Sequence, residues 1–270
     1  MNSLSVVIIT RNEEHNIADC IRSAKLVSDD IIVVDCGSSD QTVAIATNNG
    51  ARGFVIDWKG YGFSKNFGAA EARNNWILSL DADERISKKL ASSINRLNLT
   101  DGNHLFKFKR RNFIEEKEIR FGTLGFETIE RIYHKEYCRW NFAAVHEKLV
   151  ARQPVKRVIS GSLLHFGLGN FEEHKQKAKL YARLSAEKYF SQGRPTHLLQ
   201  GVASALFNSL KSYIFLLGFI EGRQGFLLAK TIAYYSWLKY FYLDQLLKES
   251  HTRGPRLIQN QSVRLEPVSN

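Results

Sequence analysis

An α/β domain built on a mostly parallel sheet flanked by helices, with a helical extension behind it, is what this 270-residue chain predicts. Three observations carry the prediction. Short β-branched runs alternate with stretches of helical spacing through the first 90 residues, and such alternation with short connections builds parallel sheets covered by helices. Each run ends in polar side chains, at the carboxyl ends where parallel sheets bind ligands. Charge is also split along the chain: residues 1–150 carry 21 Lys+Arg against 20 Asp+Glu, and residues 151–270 carry 17 against 7, so the two parts face different partners.

Leu4 to Thr10 reads as the first strand, and Asn12 as the N-cap of a helix through Ala24, with Ile17, Cys20, Ile21 and Ala24 on one face. Asp30 to Asp35 is a second buried strand. Ser38, Ser39 and Asp40 supply turn and cap for a helix that runs through Asn48 and ends at Gly50. Ala51 to Asp57 reads as a third strand, Asn66 to Asn74 as a helix packed closely through Gly68, Ala69 and Ala70, and Trp76 to Leu80 as the fourth strand.

The pattern loosens between residues 101 and 165. His104 to Lys109 alternates like a half-exposed strand, Arg131–Tyr133 and Arg139–Phe142 read as further short strands, and Phe121 to Gly125 as a loop that covers a site or moves. Beyond Gly169 the chain turns helical, with a basic amphipathic helix over Glu172–Phe190. The expected division is a domain over 1–165, a basic helical extension over 166–250 and a disordered tail over 251–270.

Composition narrows the classes. With 44% hydrophobic residues the chain can bury a sizeable core. Its three cysteines have no metal-ligand spacing and read as reduced thiols. The first apolar run is too short for export, so the expectation is a cytosolic protein. A net charge of +11 raises nucleic-acid binding, but the surplus sits on the helical part and no recognition motif accompanies it.

The chemistry is concentrated at the end of the fourth strand, where Asp81 and Asp83 stand two apart with Glu84 beside them. Crowded carboxylates need a cation among them, and a hard divalent ion shared with nucleotide phosphates would supply it. The plain alternative is a turn in which Asp81 or Asp83 caps the helix starting near Ser87. Asp35, ending an apolar strand, needs a partner. Lys65 precedes a helix and reads equally as a phosphate contact or a surface lysine, Asn12 as a ligand or a cap, and His165 as structural.

With Ser5–Asn12, Val33–Thr42 and Leu80-Asp81-Ala82-Asp83-Glu84 in this order, the chain resembles family 2 glycosyltransferases of the GT-A fold, and among them the bacterial lipopolysaccharide-core β-1,4-glucosyltransferase type. The resemblance implies an inverting transferase that uses a nucleoside-diphosphate sugar and Mn²⁺ or Mg²⁺. It implies Thr10, Asn12 and Glu13 around the nucleoside, Asp35 bonded to the base, Asp57 near it, and Lys65 and Asn66 near the diphosphate. Asp81 and Asp83 become the metal pair, Asp83 most directly, and Arg131 lies near the active site. Many relatives take their base from a later Asp pair that this sequence lacks. His146-Glu147 occupies that place, so Glu147 is the candidate base, and its alternative is a surface carboxylate paired with Lys148.

Leu198 to Ile220 is long enough to suggest a membrane span, but Gln200, Ser204, Asn208 and Lys211 share one helical face opposite Leu199, Val202, Leu206, Leu210 and Ile214. That amphipathic pattern fits a helix lying in the membrane interface, and the surplus of Lys and Arg fits anionic lipid. A core helix pair or a homodimer contact through this extension is the alternative. The sequence reading is therefore a transferase peripheral to the inner membrane face, acting on a lipopolysaccharide-core or lipid-linked glycan. An inactive nucleotide-sugar-binding scaffold at the membrane is the alternative from another class.

Overall fold

The computed structural model describes residues 3–114, 116–142, 147–167 and 171–253. The chain forms two compact units. The first holds residues up to Glu118 and Phe126–Gly167, and the second holds Ile119–Gly125 and the chain beyond Gly167.

The first unit begins with strand β1 (Leu4–Thr10), helix α1 (Ile17–Ala24), β2 (Asp30–Asp35), α2 (Thr42–Asn48), β3 (Arg52–Val55), α3 (Tyr61–Glu71) and β4 (Trp76–Asp81). A short β5 (Glu84–Ile86) and α4 (Lys88–Ile94) follow, then β6 (His104–Ile114), β7 (Lys117–Ile119), β8 (Glu127–His134), β9 (Cys138–Trp140), β10 (Leu149–Ala151) and β11 (Val155–His165). Nine strands form a mixed sheet in the order β3-β2-β1-β4-β8-β6-β11-β5, with β7 on β6. The parallel half expected from the sequence is β3-β2-β1-β4, and β8 joins β4 antiparallel.

The buried strands alternate in water-excluded directions. Val6, Ile8, Ile31 and Val33 enter one core cluster with α1 and α4, while Val7, Ile9, Ile32 and Val34 enter the other with α3. Each such side chain contributes roughly 1.5–3 kcal/mol by leaving water. Helix α3 approaches so closely that a Cβ at Gly68 would lie 2.4 Å from Val7 Cγ1, so the small residues read from the sequence are a packing requirement.

Several expected boundaries move. Asn12 is not the cap of α1: its φ of 51° is left-handed, Asn16 is the N-cap, and the helix starts at Ile17. Residues 38–41 form a turn before α2. Helix α3 starts five residues earlier than predicted, at a turn on Gly60 (φ 103°), and β3 stops at Val55, short of Asp57. Ser87 caps α4 with its own hydroxyl, so neither Asp81 nor Asp83 does. The long β11 was not anticipated, because VKRVISGSLLH mixes charge and small residues without clean alternation.

The second unit holds α5 (Phe171–Ser191), α6 (Leu198–Leu210), a wide helical turn (Lys211–Phe215), a 3-10 turn (Gly218–Glu221) and α7 (Arg223–Arg253). The loop Phe121–Gly125 belongs here and is pinned: Glu221 accepts from the Arg120 and Phe121 amides at 2.8 and 3.1 Å, and Gly122 N donates to Leu216 O. The proposed tail lies mostly outside the described residues, since 254–270 are not among them.

Candidate functional site

Sheet register gathers the polar strand ends. Thr10 pairs with Asp35 across β1–β2, and Ile9 with Asp81 across β1–β4, so Thr10, Asp35 and Asp81 finish on one edge. On the far side, His165 pairs with Glu84 across β11–β5 and with Asn112 across β11–β6. Positions far apart in the chain therefore meet around Asp81-Ala82-Asp83.

The residues expected around the nucleoside lie in two interlocked loops. Asn12 N donates to Ser38 Oγ and Asn12 Oδ1 accepts from Ser39 N, both at 2.8 Å. Glu13 N donates to Thr42 Oγ1, while the Glu13 carbonyl and carboxylate hold Asn16 at the start of α1. The carboxylate of Asp35 has found its partners in the turn, accepting from Gly37 N at 2.9 Å, Ser38 N at 2.8 Å and Ser38 Oγ. A nucleobase N–H would share Oδ2 with that hydroxyl. Thr10 Oγ1 is buried without a hydrogen-bond partner among the described residues, the type of group a ligand completes. Asp57 is exposed just past the amide of Ile56, which bonds to Asp35 O.

The two central aspartates do different things. Asp81 sits in an ion network: Arg131 Nη2 donates to its Oδ2 at 2.7 Å, and Lys65 Nζ lies 3.3 Å from its Oδ1. Burial alone would push this carboxyl up, but the guanidinium and the ammonium outweigh it and hold it well below the usual carboxylate range. Burial opposes the charge of Arg131 too, and Asp81 and Glu84 overcome that and raise its pKa. Glu84, fully buried, accepts from Arg131 at 2.9 Å, from Arg110 at 3.4 Å and from the Asp81 amide at 3.0 Å. Arg131 is thus a positioning residue for the turn.

Asp83 instead faces His165, whose Nε2 is 3.5 Å from Asp83 Oδ2. The tautomer follows from the chain of bonds behind it. Asn112 Nδ2 donates to the Glu127 carboxylate, so Asn112 Oδ1 faces His165 Nδ1 at 2.7 Å and accepts a hydrogen bond from it. A neutral His165 would then point a lone pair at a carboxylate. A proton or a cation between them removes the conflict. Burial lowers the His165 pKa, yet Asp83 opposite it leaves the pKa raised. One carboxylate and one imidazole anchored through its other nitrogen would suit Mn²⁺, whereas Mg²⁺ would draw on the carboxylate and oxygen ligands alone. Among the described residues no cluster of three or more His, Cys, Asp or Glu is arranged to hold a metal ion, so diphosphate oxygens and water would complete the shell.

Lys65 is not a surface lysine. It is 2% exposed, lies 4.5 Å over the Trp140 ring, and donates to Glu147 Oε1 at 2.7 Å. Glu147 therefore pairs across 82 positions with Lys65 and stands beside the Asp81 network. The side-chain amide of Asn66, expected near the diphosphate, bonds at both ends to the backbone of Trp140, at 2.8 and 2.9 Å. His146 lies outside the described residues.

Sequence reasoning missed Glu84 as an organising group, along with Arg110, Asn112, Glu127, Trp140 and the facing of His165 to Asp83. The signal available was Glu84 itself, a third acid following an apolar strand.

A parallel half-sheet with an Asp-x-Asp turn at its carboxyl edge, extended by the antiparallel β8 that carries Arg131 and by β6 and β11, where β11 runs parallel to β6 and carries His165, is the frame of a GT-A glycosyltransferase. The chain matches Glycosyl transferase family 2 over residues 5–159 and belongs to that family. An uncharacterized glycosyltransferase of Rickettsia typhi is 28% identical over 265 residues, covering 93% of this chain and 89% of the relative. The lipopolysaccharide core biosynthesis glycosyltransferase LpsC of Rhizobium meliloti is 28% identical over 247 residues, covering 87% and 89%. Among solved structures, mannosyl-3-phosphoglycerate synthase of Rubrobacter xylanophilus is similar at a TM-score of 0.47 and 16% identity over 72% of this chain and 76% of that one. Glucosyl-3-phosphoglycerate synthase of Mycobacterium tuberculosis, crystallised with Mn²⁺, UDP and glucosyl-3-phosphoglycerate, reaches 0.32 and 26% over 42% and 44%. The family assignment rests on the sequence matches.

Proposed function

We propose that this glycosyltransferase is a metal-dependent, inverting enzyme that moves glucose from UDP-glucose onto a lipopolysaccharide-core or other lipid-linked glycan, peripherally at the inner face of the cell membrane. The observation that carries the chemistry is the opposition of Asp83 and His165 beside a buried Lys65–Glu147 pair. Mn²⁺ held by Asp83 and His165, or Mg²⁺ held by Asp83, would neutralise the leaving diphosphate as a Lewis acid. Arg131 and Glu84 hold Asp81 and with it the turn that aims Asp83. Thr10, Asn12, Glu13, Asp35 and Asp57 frame the nucleoside.

Glu147 is the base in this reading, and Lys65 keeps it in place. It takes the proton of the acceptor hydroxyl as that oxygen bonds to the anomeric carbon and the bond to the diphosphate breaks. One displacement inverts the anomeric centre. The acceptor class is supported by the likeness to LpsC.

The test is a panel of UDP-, GDP- and dTDP-sugars given to purified protein with and without Mn²⁺, beside Asp83→Ala. Metal-dependent binding of one donor, with slow diphosphate release that falls at least about 1000-fold in the variant, is expected; that loss corresponds to about 4 kcal/mol. Donor binding without turnover in either protein would make the chain a scaffold, and no binding at all in folded protein would overturn the reading.

A further inference from the structure

Helix α6 is packed inside out for water. An amphipathic helix of a water-soluble domain buries its apolar stripe. Here the face against α7 is small and polar: a Cβ at Gly201 would lie 3.1 Å from Tyr240 Cβ, and Asn208 Nδ2 donates to Ser236 Oγ at 3.1 Å and to Ser204 Oγ at 3.2 Å. The opposite face is apolar and bare, with Leu199 81%, Phe207 64% and Phe215 75% exposed. Ile220 and Phe226 continue it, and Tyr213 joins the turn to the start of α7 by edge contacts with Phe219 and Phe226. Small residues between helices, one amide as the link and large apolar side chains outward are how helices associate where the surroundings are hydrocarbon.

Charge chooses the occupant. Between Leu198 and Trp237 the charged residues are Lys211, Glu221, Arg223 and Lys230. The three cations are exposed, and Glu221 is buried, accepting from two amides of the 119–125 loop. The exposed charges of this segment are all positive, which complements an anionic lipid surface. Helix α6 has 13 residues, about 20 Å at 1.5 Å each, against about 30 Å of hydrocarbon. Among the described residues no helix is long and apolar enough to cross a membrane.

We propose that this face, α6 with the turns that follow it and the start of α7, is a lipid-insertion surface that lies in the plane of an anionic bilayer with its large side chains among the acyl chains. The inference deepens the peripheral placement proposed above and is independent of the transfer chemistry.

Flotation of the full chain with phosphatidylglycerol-containing vesicles and with pure phosphatidylcholine vesicles tests it, beside the double variant Phe207→Ser/Phe215→Ser. Wild type should favour the anionic vesicles and remain partly bound near 1 M salt, where charges more than about 3 Å apart are screened. The variant should lose about 100-fold in partitioning, with unchanged thermal midpoint and unchanged donor hydrolysis. Binding by the variant equal to wild type, or complete release of wild type by salt, would show attachment by charge alone and overturn the inference. So would wild type that ignores vesicles and sediments as a dimer that the double variant dissolves. If donor hydrolysis is absent while flotation follows expectation, the transferase reading fails and the surface stands. Hydrolysis without flotation means the reverse: the transferase stands and the surface fails.

Discussion

In the sheet unit, Val6 and Ile8 turn one way, Val7 and Ile9 the other, all four are buried, and polar side chains gather at the strand ends. In the helical unit Gly201, Asn208 and Ser236 are inside or at the contact, while Phe207 and Phe215 are outside. Both units bury partnered polar groups, Lys65 with Glu147 in one and Ser236 with Asn208 in the other. Buried polarity therefore does not separate them. What each leaves on its surface does.

The contrast can be broken or sharpened by substitution. The largest stability change is expected from Lys65→Met, which leaves Glu147 without its cation and removes one of the two that hold Asp81. Removing one partner of a buried pair costs about 3–5 kcal/mol, and chemical denaturation would measure it; a change below about 1 kcal/mol would mean that solvent reaches the pair. Leu78→Ala, in the core of the sheet unit, should cost about 2–5 kcal/mol in the same assay.

A smaller effect, with a pH signature, is expected from Asp30→Asn. Asp30 accepts from Ser5 Oγ at 2.6 Å, Arg73 N at 2.8 Å and Arg52 at 2.8 Å. Burial raises its pKa, but these partners outweigh it and leave the group below its ordinary 3.8. A depressed carboxyl stabilises the fold above its unfolded pKa and loses that contribution as pH falls through the folded value. The variant should therefore be about 1–3 kcal/mol less stable at pH 7, with the gap closing below pH 3.8. A gap independent of pH would assign the loss to geometry. The smallest effect belongs to Phe207→Ala: about 0.5 kcal/mol or less in vesicle-free buffer, because the ring is already in water. A loss as large as that of Leu78→Ala would mean the face is covered in solution.

The first four strands were legible because β-branched runs cannot hide their period, and the Asp81–Asp83 turn because carboxylates at a strand end call for a cation. Asn12 misled because Asn reads as a cap and also tolerates left-handed backbone, and the structure uses the second property. The bonds of Asn66 were not legible because their partner, the backbone of Trp140, is 74 positions away. Glu84 and His165 were illegible as parts of one network for the same reason: their partners come from β6, β8 and the Asp83 turn through registers that no local pattern encodes. In the helical unit the amphipathic face was legible, but periodicity shows that a helix has two faces without showing which of them is turned inward.

One small residue bears on inheritance. Gly167 passes so close to the Asp81–Asp83 turn that a Cβ there would lie 1.8 Å from Asp83 Oδ2 and 2.8 Å from His165 Nε2. Every glycine codon becomes an alanine codon by a single base change. Such an allele adds one methyl group to a chain whose sheet is otherwise complete, and pushes aside the carboxylate that faces the histidine. The expected defect of such an allele is in glycosyl transfer, read by assaying the purified variant beside wild type.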